Sequence, residues 1–280
     1  MSFESHSPAA RWRPTPLVAV SLGVHAAALA TVLARFPAWP WALGGVLADH
    51  VLLAAAGLTP RSHLLGPNLT RLPASAAGRG EVAITLDDGP DPKVTPRVLD
   101  LLDERGAKAT FFCIGERVQR YAELTREMAR RGHSVENHSQ RHLNRFTLLG
   151  PRALTAEIER AQDTIGITTG QQPLFFRAPA GLRSPWLDPV LMRFGLRLAS
   201  WTRRGFDTVS ARADSVLAKL TRGLRAGDIL LLHDGRAALT AAGVPVVLEV
   251  LPQLLDALAA KDLTPVTLRA ALAPTGSATP

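Results

Sequence analysis

The sequence predicts an α/β fold in which about seven parallel strands alternate with helices and close into a barrel. From residue 81 onward, short apolar runs typical of buried strands alternate with segments that carry the 3.6-residue apolar spacing of helices. Such alternation favours parallel strands, because each helix returns the chain to the same end of the sheet. Polar residues directly follow several of these strands, as at the active-site face of a parallel barrel. A chain of 280 residues, 46% of them hydrophobic, can bury a core of that size.

Charge and cysteine content narrow the possible functions. The formal net charge is +8, but the basic residues are almost all Arg, and no run of them is longer than a pair. Nucleic acids bind a continuous basic stripe, so we expect no nucleic-acid partner. Cys113 is the single cysteine, which excludes an intramolecular disulfide and a zinc site built from cysteines. It lies in an apolar run, where a buried structural thiol is expected.

Residues 1–59 are predicted to associate with a membrane. Two apolar segments, 17–34 and 41–58, approach the length of a bilayer-spanning helix. A turn with two prolines and two aromatic residues separates them, so we expect a hairpin in the inner (cytoplasmic) membrane. A cleaved signal peptide at the first segment is the alternative, although the second apolar segment makes simple secretion a poorer explanation.

The side of the membrane that holds the rest of the chain stays open at this point. Arg11 and Arg13 precede the first segment and further arginines follow the second, which favours a cytoplasmic position for both ends if both segments span. Asp49 and His50, however, fall inside the second segment, where charge is costly in hydrocarbon. That segment either packs against a partner or lies in the interface, and if it does not span, the remainder lies outside.

The chain after the hairpin divides into a linker, a domain and a tail. Residues 60–80 are rich in Pro, Ser, Gly and Arg and predict a linker, the domain covers 81–270, and 271–280 are expected to be disordered. Within the domain, 82–86 is a buried-strand run, and the apolar residues of 94–104 share one helix face. Further strands are predicted near 109–114, 134–135, 174–177, 197–200, 229–232 and 265–268. Further helices are predicted near 117–131, 152–166, 186–194, 211–222 and 244–260.

Two of the strand ends carry residues that can bind a metal. Asp87 and Asp88 follow the first strand, where adjacent carboxylates point in different directions, so that one can ligate and the other can face a reacting water. His138 and His142 are four residues apart and share one face if a helical turn begins at Ser139. Two His and one carboxylate with an open position form a typical catalytic zinc site. Each motif alone has a simpler explanation, a turn for the Asp pair and chance spacing for the His pair.

Other strand ends carry groups with a possible role in catalysis. His233 follows a strand of four apolar residues, and a position across the barrel mouth from Asp87 would suit a general acid. Arg177 follows two Phe residues, and an Arg that emerges from buried aromatics often has a carboxylate partner. A packing His and a surface Arg are the alternatives. Together, the polar residues at five strand ends indicate one active site.

The five motifs resemble those of one known family. They are Thr85 to Pro90, His138 to His142, Arg177 to Gly181, Trp201 with Asp207, and Leu231 to Asp234. In this order they are similar to the motifs of the polysaccharide deacetylase family, also called the NodB-homology family or carbohydrate esterase family four. The resemblance covers 81–268 and implies a distorted (β/α) barrel.

The resemblance also implies roles for the site residues. Asp88, His138 and His142 would hold a divalent metal, usually zinc. Asp87 would be the general base, and Arg177 would orient it and keep it ionised.

Further roles follow from the later motifs. Asp207 would hydrogen-bond His233 and keep it protonated as the general acid, and Pro179 and Trp201 would contact the sugar. The fourth motif departs from the family pattern, because Arg204 stands where an acid is usual.

Two other positions also depart from the pattern. Thr208 replaces a Trp, which puts the wall of the sugar pocket in doubt, and Leu86 replaces a Phe without touching the chemistry.

These features predict a metal-dependent hydrolase that removes N-acetyl groups from an amino sugar in a polysaccharide or a lipid-linked glycan. One alternative is an O-deacetylase or deformylase that uses the same site. The other is a membrane-tethered carbohydrate-binding protein without turnover, which only the altered fourth motif favours.

Overall fold

The computed structural model describes residues 12–273, and a curled parallel sheet lies at its centre. The strands are β1 (Glu81–Asp87), β2 (Thr110–Cys113), β3 (Ser134–Asn137), β4 (Phe175–Phe176), β5 (Arg197–Leu198), β6 (Arg203–Arg204), β7 (Ile229–His233) and β8 (Thr264–Pro265). Their order is β5-β4-β3-β2-β1-β7-β6, and β8 pairs with the start of β1. All of these pairings are parallel. The ladder ends at β5 and at β6, so the sheet is a distorted barrel that is open there, and the predicted fold class is confirmed.

Helices pack around this sheet in alternation with its strands. They are α3 (Ala74–Gly78), α4 (Thr95–Asp103), α5 (Gly115–Arg120), α6 (Ala122–Arg130), α7 (Pro151–Thr169), α8 (Leu187–Arg193), α9 (Ala213–Thr221), α10 (Val246–Ala259) and α11 (Leu268–Leu272). The largest core cluster joins the outer face of β1, β2 and β7 to α4, α9 and α10. Cys113 belongs to this cluster, and burial raises the pKa of its thiol, as expected for a structural cysteine.

Alternation along the central strands decides which side chains enter the interior of the barrel. In β1, residues 82, 84 and 86 pack in the outer cluster, so residues 83, 85 and 87 face the interior. In β7, Leu230 and Leu232 pack outward, and residues 229, 231 and 233 face inward. Asp87 and His233 are partners in the β1–β7 register and end their strands. Both side chains therefore lie inside the carboxyl-terminal mouth of the barrel.

The N-terminal segment forms a helical hairpin of α1 (Pro16–Ala34) and α2 (Trp39–Gly57). Each helix has 19 residues, which at 1.5 Å per residue gives about 28 Å. Their mean hydropathies are 2.1 and 1.2. By length and composition both helices could cross a bilayer, although a signal sequence or a buried core helix passes the same test. The base of the hairpin packs on the rest of the chain through Val18, Ala56 and Leu65.

Asp49, the acid in the second apolar segment, faces α1. Its Oδ2 accepts a hydrogen bond of 2.7 Å from the Ser21 hydroxyl and lies 3.7 Å from the Nδ1 of His25. His50 lies beside His25, with ring centroids 5.2 Å apart. The acid therefore packs against a neighbouring helix, the first of the arrangements expected for it.

The segment predicted as a linker is instead packed against the barrel. Leu65, Leu72 and Ala76 are buried, and Leu69 forms a parallel bridge with Ala199 after β5. Its Pro and Gly residues mark turns correctly, but the apolar residues between them lie against the sheet.

Other element boundaries also differ from the prediction. The predicted helix 117–131 is broken at Tyr121 into α5 and α6. Strand β6 was not predicted, and Leu268 begins α11 rather than ending the last strand. Helix α11 also includes the first two residues of the segment 271–280 that was expected to be disordered. Residues 274–280 of that segment, and the N-terminal flank with Arg11, lie outside the described residues.

Candidate active site

A buried ion pair occupies the bottom of the barrel mouth. Asp87 ends β1 with its side chain inward, and its Oδ1 accepts a hydrogen bond of 2.7 Å from the guanidinium of Arg177. Arg177 follows β4 directly and is only 1% exposed. A charge this deep requires partners on every side. It also donates to the Thr85 hydroxyl and to the carbonyl oxygens of Ala199 and Ser200.

This arrangement fixes the direction of one carboxylate oxygen. The guanidinium of Arg177 also lies 4.0 Å from the ring centre of Phe112, so the side chain has little freedom to move. Because Oδ1 of Asp87 is held by Arg177, the other oxygen points toward His138, at 3.9 Å from its Nε2. That oxygen is available to a molecule in the cavity.

Three possible metal ligands lie beside Asp87. The Oδ1 of Asp88 is 3.4 Å from Nε2 of His138 and 3.2 Å from Nε2 of His142. The backbone of Asp88 has φ 70°, which turns its side chain away from that of its neighbour. The strand end therefore presents two carboxylates in different directions, as the sequence predicted.

The two His are not brought together by a helical turn. Strand β3 ends at Asn137, and positive φ values at Ser139 (65°) and His142 (50°) fold the following loop back on itself. The ring centroids of His138 and His142 are 4.9 Å apart as a result. The spacing of four residues correctly predicted that the two imidazoles lie close together, but the prediction that a helical turn places them there was wrong.

The chemistry of these three groups fits a divalent metal. The Nδ1 of His138 lies 2.8 Å from the Arg177 carbonyl, to which it can donate, and this leaves Nε2 with a lone pair directed at Asp88. Burial lowers the pKa of His142 to about 4, so its imidazole is neutral at pH 7. Oδ1 of Asp88 is buried without a hydrogen-bond partner. An orphaned carboxylate oxygen between two imidazole nitrogens, all within 4.8 Å, can hold one cation.

A second pair of residues lies beside Asp87, because His233 is its partner on the neighbouring strand β7 and does not lie across the mouth as predicted. Asp207 is fully buried, and its Oδ1 lies 2.9 Å from Nδ1 of His233, while its Oδ2 accepts the His233 backbone N–H at 2.7 Å. Burial alone would lower the pKa of His233, but the Asp207 hydrogen bond and charge, with Asp87 and Asp88 nearby, raise it overall. Nε2 of His233 is left free for a molecule in the cavity.

The cavity that these residues line has a volume of about 300 Å³. Trp201 forms part of its wall, as expected for a sugar contact, and the loop residues Ala180 and Gly181 lie beside it. Pro179 is buried at the start of the turn Pro179–Gly181 and is not among the residues that line the cavity. Thr208, at the departure in the fourth motif, also lines the cavity.

Some residues in and beside the cavity were not predicted as site residues from the sequence. Arg204 and Arg236 both line the cavity, and Arg204 lies 5.5 Å from the Trp201 ring. Asp234 is fully buried, accepts a hydrogen bond from Thr95, and burial raises its pKa to about 7. Arg204 was noted only as a departure, and no local pattern identifies Arg236 as part of the cavity.

Comparison with known proteins agrees with this geometry. A family model described as polysaccharide deacetylase matches residues 74–199. A peptidoglycan-N-acetylglucosamine deacetylase from Bacillus cereus is 35% identical over 164 residues, which cover 55% of this chain and 72% of that protein. This chain belongs to the polysaccharide deacetylase family.

Further relatives of the family extend the comparison. A chitooligosaccharide deacetylase from Azorhizobium caulinodans is 35% identical over 158 residues, covering 56% of this chain and 75% of that protein. The solved structure of a family 4 carbohydrate esterase from Streptomyces lividans, in complex with acetate, matches with a TM-score of 0.60 and 31% identity. That match covers 66% of this chain and 91% of the esterase. The hairpin of α1 and α2 precedes the residues that the family model matches.

Proposed function

We propose that this protein is a divalent-metal-dependent deacetylase that removes the N-acetyl group from an amino sugar of a polysaccharide or a lipid-linked glycan. The observation that carries the proposal is the buried, unpartnered Oδ1 of Asp88 between the Nε2 atoms of His138 and His142. A carboxylate oxygen in that position costs free energy unless a cation binds it. The relatives named as N-acetylglucosamine and chitooligosaccharide deacetylases support an acetylated amino sugar as the substrate.

Asp88, His138 and His142 would hold the metal, and zinc suits a set of two imidazole nitrogens and one carboxylate. When bound, such a metal polarises the acetamide carbonyl and lowers the pKa of a water molecule. The hydrogen bond from His138 to the Arg177 carbonyl keeps the imidazole in the tautomer that ligates through Nε2.

Asp87 is placed to act as the general base. Its free oxygen faces the same space as the metal ligands, and Arg177 holds the other oxygen. The carboxylate would take one proton from water as the water oxygen attacks the acetamide carbon. Arg177 would hold Asp87 in this orientation, and it lies too deep to touch the substrate itself.

His233 is placed to act as the general acid. An amine is a poor leaving group unless it is protonated, so breaking the C–N bond requires a proton donor on that side. Nδ1 of His233 is bonded to Asp207, which leaves Nε2 to donate the proton to the departing nitrogen. Because the pKa of His233 is raised, more of its imidazole is protonated at a given pH than in an ordinary histidine. The products are acetate and the free amino sugar.

The remaining elements suggest where the reaction occurs and what the sugar contacts. Trp201 would pack against a sugar ring, and Pro179 would support the loop beside it. The hairpin of α1 and α2 would attach the domain to the inner membrane, which favours a substrate close to the bilayer.

The proposal is tested with the full chain in detergent. Acetate release is measured from N-acetylglucosamine oligomers, and O-acetylated and N-formylated oligomers of the same length serve as competing substrates. We expect the highest kcat/KM for the N-acetylated oligomer and no release by Asp87→Asn. Preference for the O-acetylated or N-formylated compound would replace the proposed reaction with one of the related hydrolyses. Metal binding without release from any of the three would indicate a binding protein.

A further inference from the structure

A second and larger cavity lies at the base of the helical hairpin. It has a volume of about 1150 Å³ and opens between the lower halves of α1 and α2 and the domain helices α7 and α8. We call it the hairpin groove. Its hairpin side includes Leu22 and Leu53, and its domain side includes Leu148 and Trp186. Leu22, Leu148 and Trp186 are 60%, 83% and 54% exposed, so the groove presents apolar surface that no described residue covers.

Three cations line the domain side of this groove. Arg152, Arg183 and Arg193 all contribute to the lining, and within residues 12–273 none of them forms an ion pair. Arginine without a carboxylate is a preferred ligand of phosphate. The groove therefore joins an apolar wall to three arginines that form no ion pair within the described residues.

Two buried atoms in the groove have no partner. Arg183 is only 4% exposed, and its Nε makes no hydrogen bond, nor does the buried hydroxyl of the adjacent Ser184. Asp188, the carboxylate that acts on Arg183 through space, accepts a hydrogen bond from Trp12 instead. A buried guanidinium donor and a buried hydroxyl without acceptors cost free energy in this state, and an anionic oxygen that reached either of them would lower that cost.

The groove is connected to the catalytic cavity by one short loop. Ala180 and Gly181 line the catalytic cavity, and Arg183 and Ser184 line the groove. Only Leu182 lies between Gly181 and Arg183, so the Cα atoms of these two residues are at most about 7 Å apart. The two cavities are therefore lined by neighbouring residues of the same loop. The hairpin fixes this loop, because the Arg183 backbone N–H donates to the carbonyl of Gly57 at the end of α2.

The groove is also continuous with the apolar surface of the hairpin. Its hairpin residues come from the first turns of α1 and the last turns of α2, and beyond them both helices expose apolar side chains. If the hairpin crosses a bilayer, the groove lies where the spans meet the domain, at the depth of lipid phosphates. An aliphatic chain could then enter from the hydrocarbon while its phosphate meets the arginines.

We propose that the hairpin groove binds the phosphate and the first part of the aliphatic chain of a lipid-linked N-acetylated sugar, and so presents that sugar to the catalytic cavity. This inference rests on the proposed deacetylase function and selects the lipid-linked glycan over the free polysaccharide. Arg152, Arg183 and Arg193 bind the phosphate, and Leu22, Leu53, Leu148 and Trp186 contact the chain.

The test measures binding and turnover separately, on the full chain in lipid nanodiscs. The binding probe is a prenyl diphosphate that carries N-acetylglucosamine, and its Kd is measured by titration calorimetry. The groove variant is the double substitution Arg152→Gln with Arg193→Gln, because both side chains are exposed and lose no contact when shortened. The matched control is Arg105→Gln with Arg126→Gln, which removes two exposed charges from α6 and the end of α4, helices that do not line the groove.

We expect the groove variant to raise the Kd of the probe by about tenfold or more, the loss typical of one charge-assisted contact, and the control to leave it unchanged. A second variant, Trp186→Ser, should also weaken the probe, and it should weaken a prenyl monophosphate without sugar in the same way. Equal affinities in the groove and control variants would overturn the proposal. So would binding of phosphatidylglycerol as tight as that of the probe, since the groove would then hold a bulk lipid.

Acetate release from the bound probe separates this inference from the deacetylase function. Release from soluble N-acetylglucosamine oligomers, with no groove-dependent binding of the probe, would refute the groove and leave the deacetylase intact. Groove-dependent binding without release from any substrate would refute the deacetylase and leave a lipid-glycan binding site.

Discussion

Replacing Asp207 by asparagine should slow N-deacetylation about 10- to 150-fold without unfolding the protein or displacing its metal. Asp207 is fully buried, and its two oxygens contact Nδ1 and the backbone N–H of His233 at 2.9 and 2.7 Å. The asparagine amide keeps the shape and one acceptor but removes the charge that favours the protonated imidazole. A hydrogen bond to a charged group is worth about 1.5–3 kcal/mol, and each 1.36 kcal/mol changes the rate about tenfold.

The raised pKa of His233 determines the direction in which the pH profile of the variant should shift. The pKa of His233 is raised overall, chiefly by Asp207 against the opposing effect of burial. The acid is therefore protonated below that raised pKa, and activity is lost as the pH rises through it. In Asp207→Asn the pKa of His233 falls, so the alkaline limb of the kcat/KM profile moves to lower pH.

The assay compares two substrates over a range of pH. Acetate release from an N-acetylglucosamine oligomer needs a protonated leaving group, whereas 4-nitrophenyl acetate releases a stable phenolate without one. The variant should therefore lose far more activity on the amide than on the ester. Asp256→Asn, which removes a 63%-exposed carboxylate paired with Arg105, is the control and should leave both profiles unchanged. An unmoved alkaline limb, or equal losses on both substrates, would refute the assignment of His233 as the acid.

Three further predictions concern the metal ligands and the packing beneath them. Asp88→Asn should leave the backbone unchanged, because asparagine also tolerates a φ of 70°. Metal analysis of the purified variant should show that its affinity for the metal falls by more than roughly 10- to 100-fold, the loss typical when a residue that only hydrogen-bonds to a metal ligand is replaced. Gly235→Ala places a Cβ atom 2.3 Å from the Asp88 carbonyl oxygen, so thermal melts should show that it destabilises the fold by at least about 1–3 kcal/mol. The control is Gly78→Ala, whose Cβ atom meets nothing within 4 Å and should leave the stability unchanged. Arg177→Met leaves Asp87 buried and unpaired, so chemical denaturation should show that the free energy of unfolding falls by about 3–5 kcal/mol. Adding Asp87→Asn should restore part of that free energy. If it restores none, the buried ion pair is contradicted.

The polar residues of the site could be predicted as a group, because the carboxyl ends of parallel strands lie at the same edge of the sheet even when they are far apart in sequence. Asp87 and His233 are far apart in sequence, yet alternation along β1 and β7 places both inside the barrel mouth. The Arg177–Asp87 pair follows from the same geometry, with one partner after β4 and the other at the end of β1. Periodicity places these residues at strand ends, but it does not give the strand order, and the pairing of Arg177 with Asp87 was expected only from the family resemblance.

Other features depend on contacts between segments that no local pattern encodes. Arg203–Arg204 becomes strand β6 only because it pairs with Leu230 and Leu231 of β7. His138 and His142 meet through positive φ values at Ser139 and His142, where neither residue type requires that conformation. The segment 60–80 has the composition of a linker, but its apolar residues pack against the sheet, a contact that its own sequence does not reveal.

The most direct test of the account is a metal titration of the full chain, with acetate release as the readout. The protein is stripped by chelation, and zinc is returned in steps while bound metal and turnover of N-acetylglucosamine oligomers are measured together. We predict that turnover rises in proportion to occupancy, reaches its maximum at about one zinc per chain, and is absent from Asp88→Asn at the same zinc concentration. Full turnover in the stripped protein, or unchanged zinc occupancy in Asp88→Asn, would contradict the assignment of Asp88, His138 and His142 as the metal site.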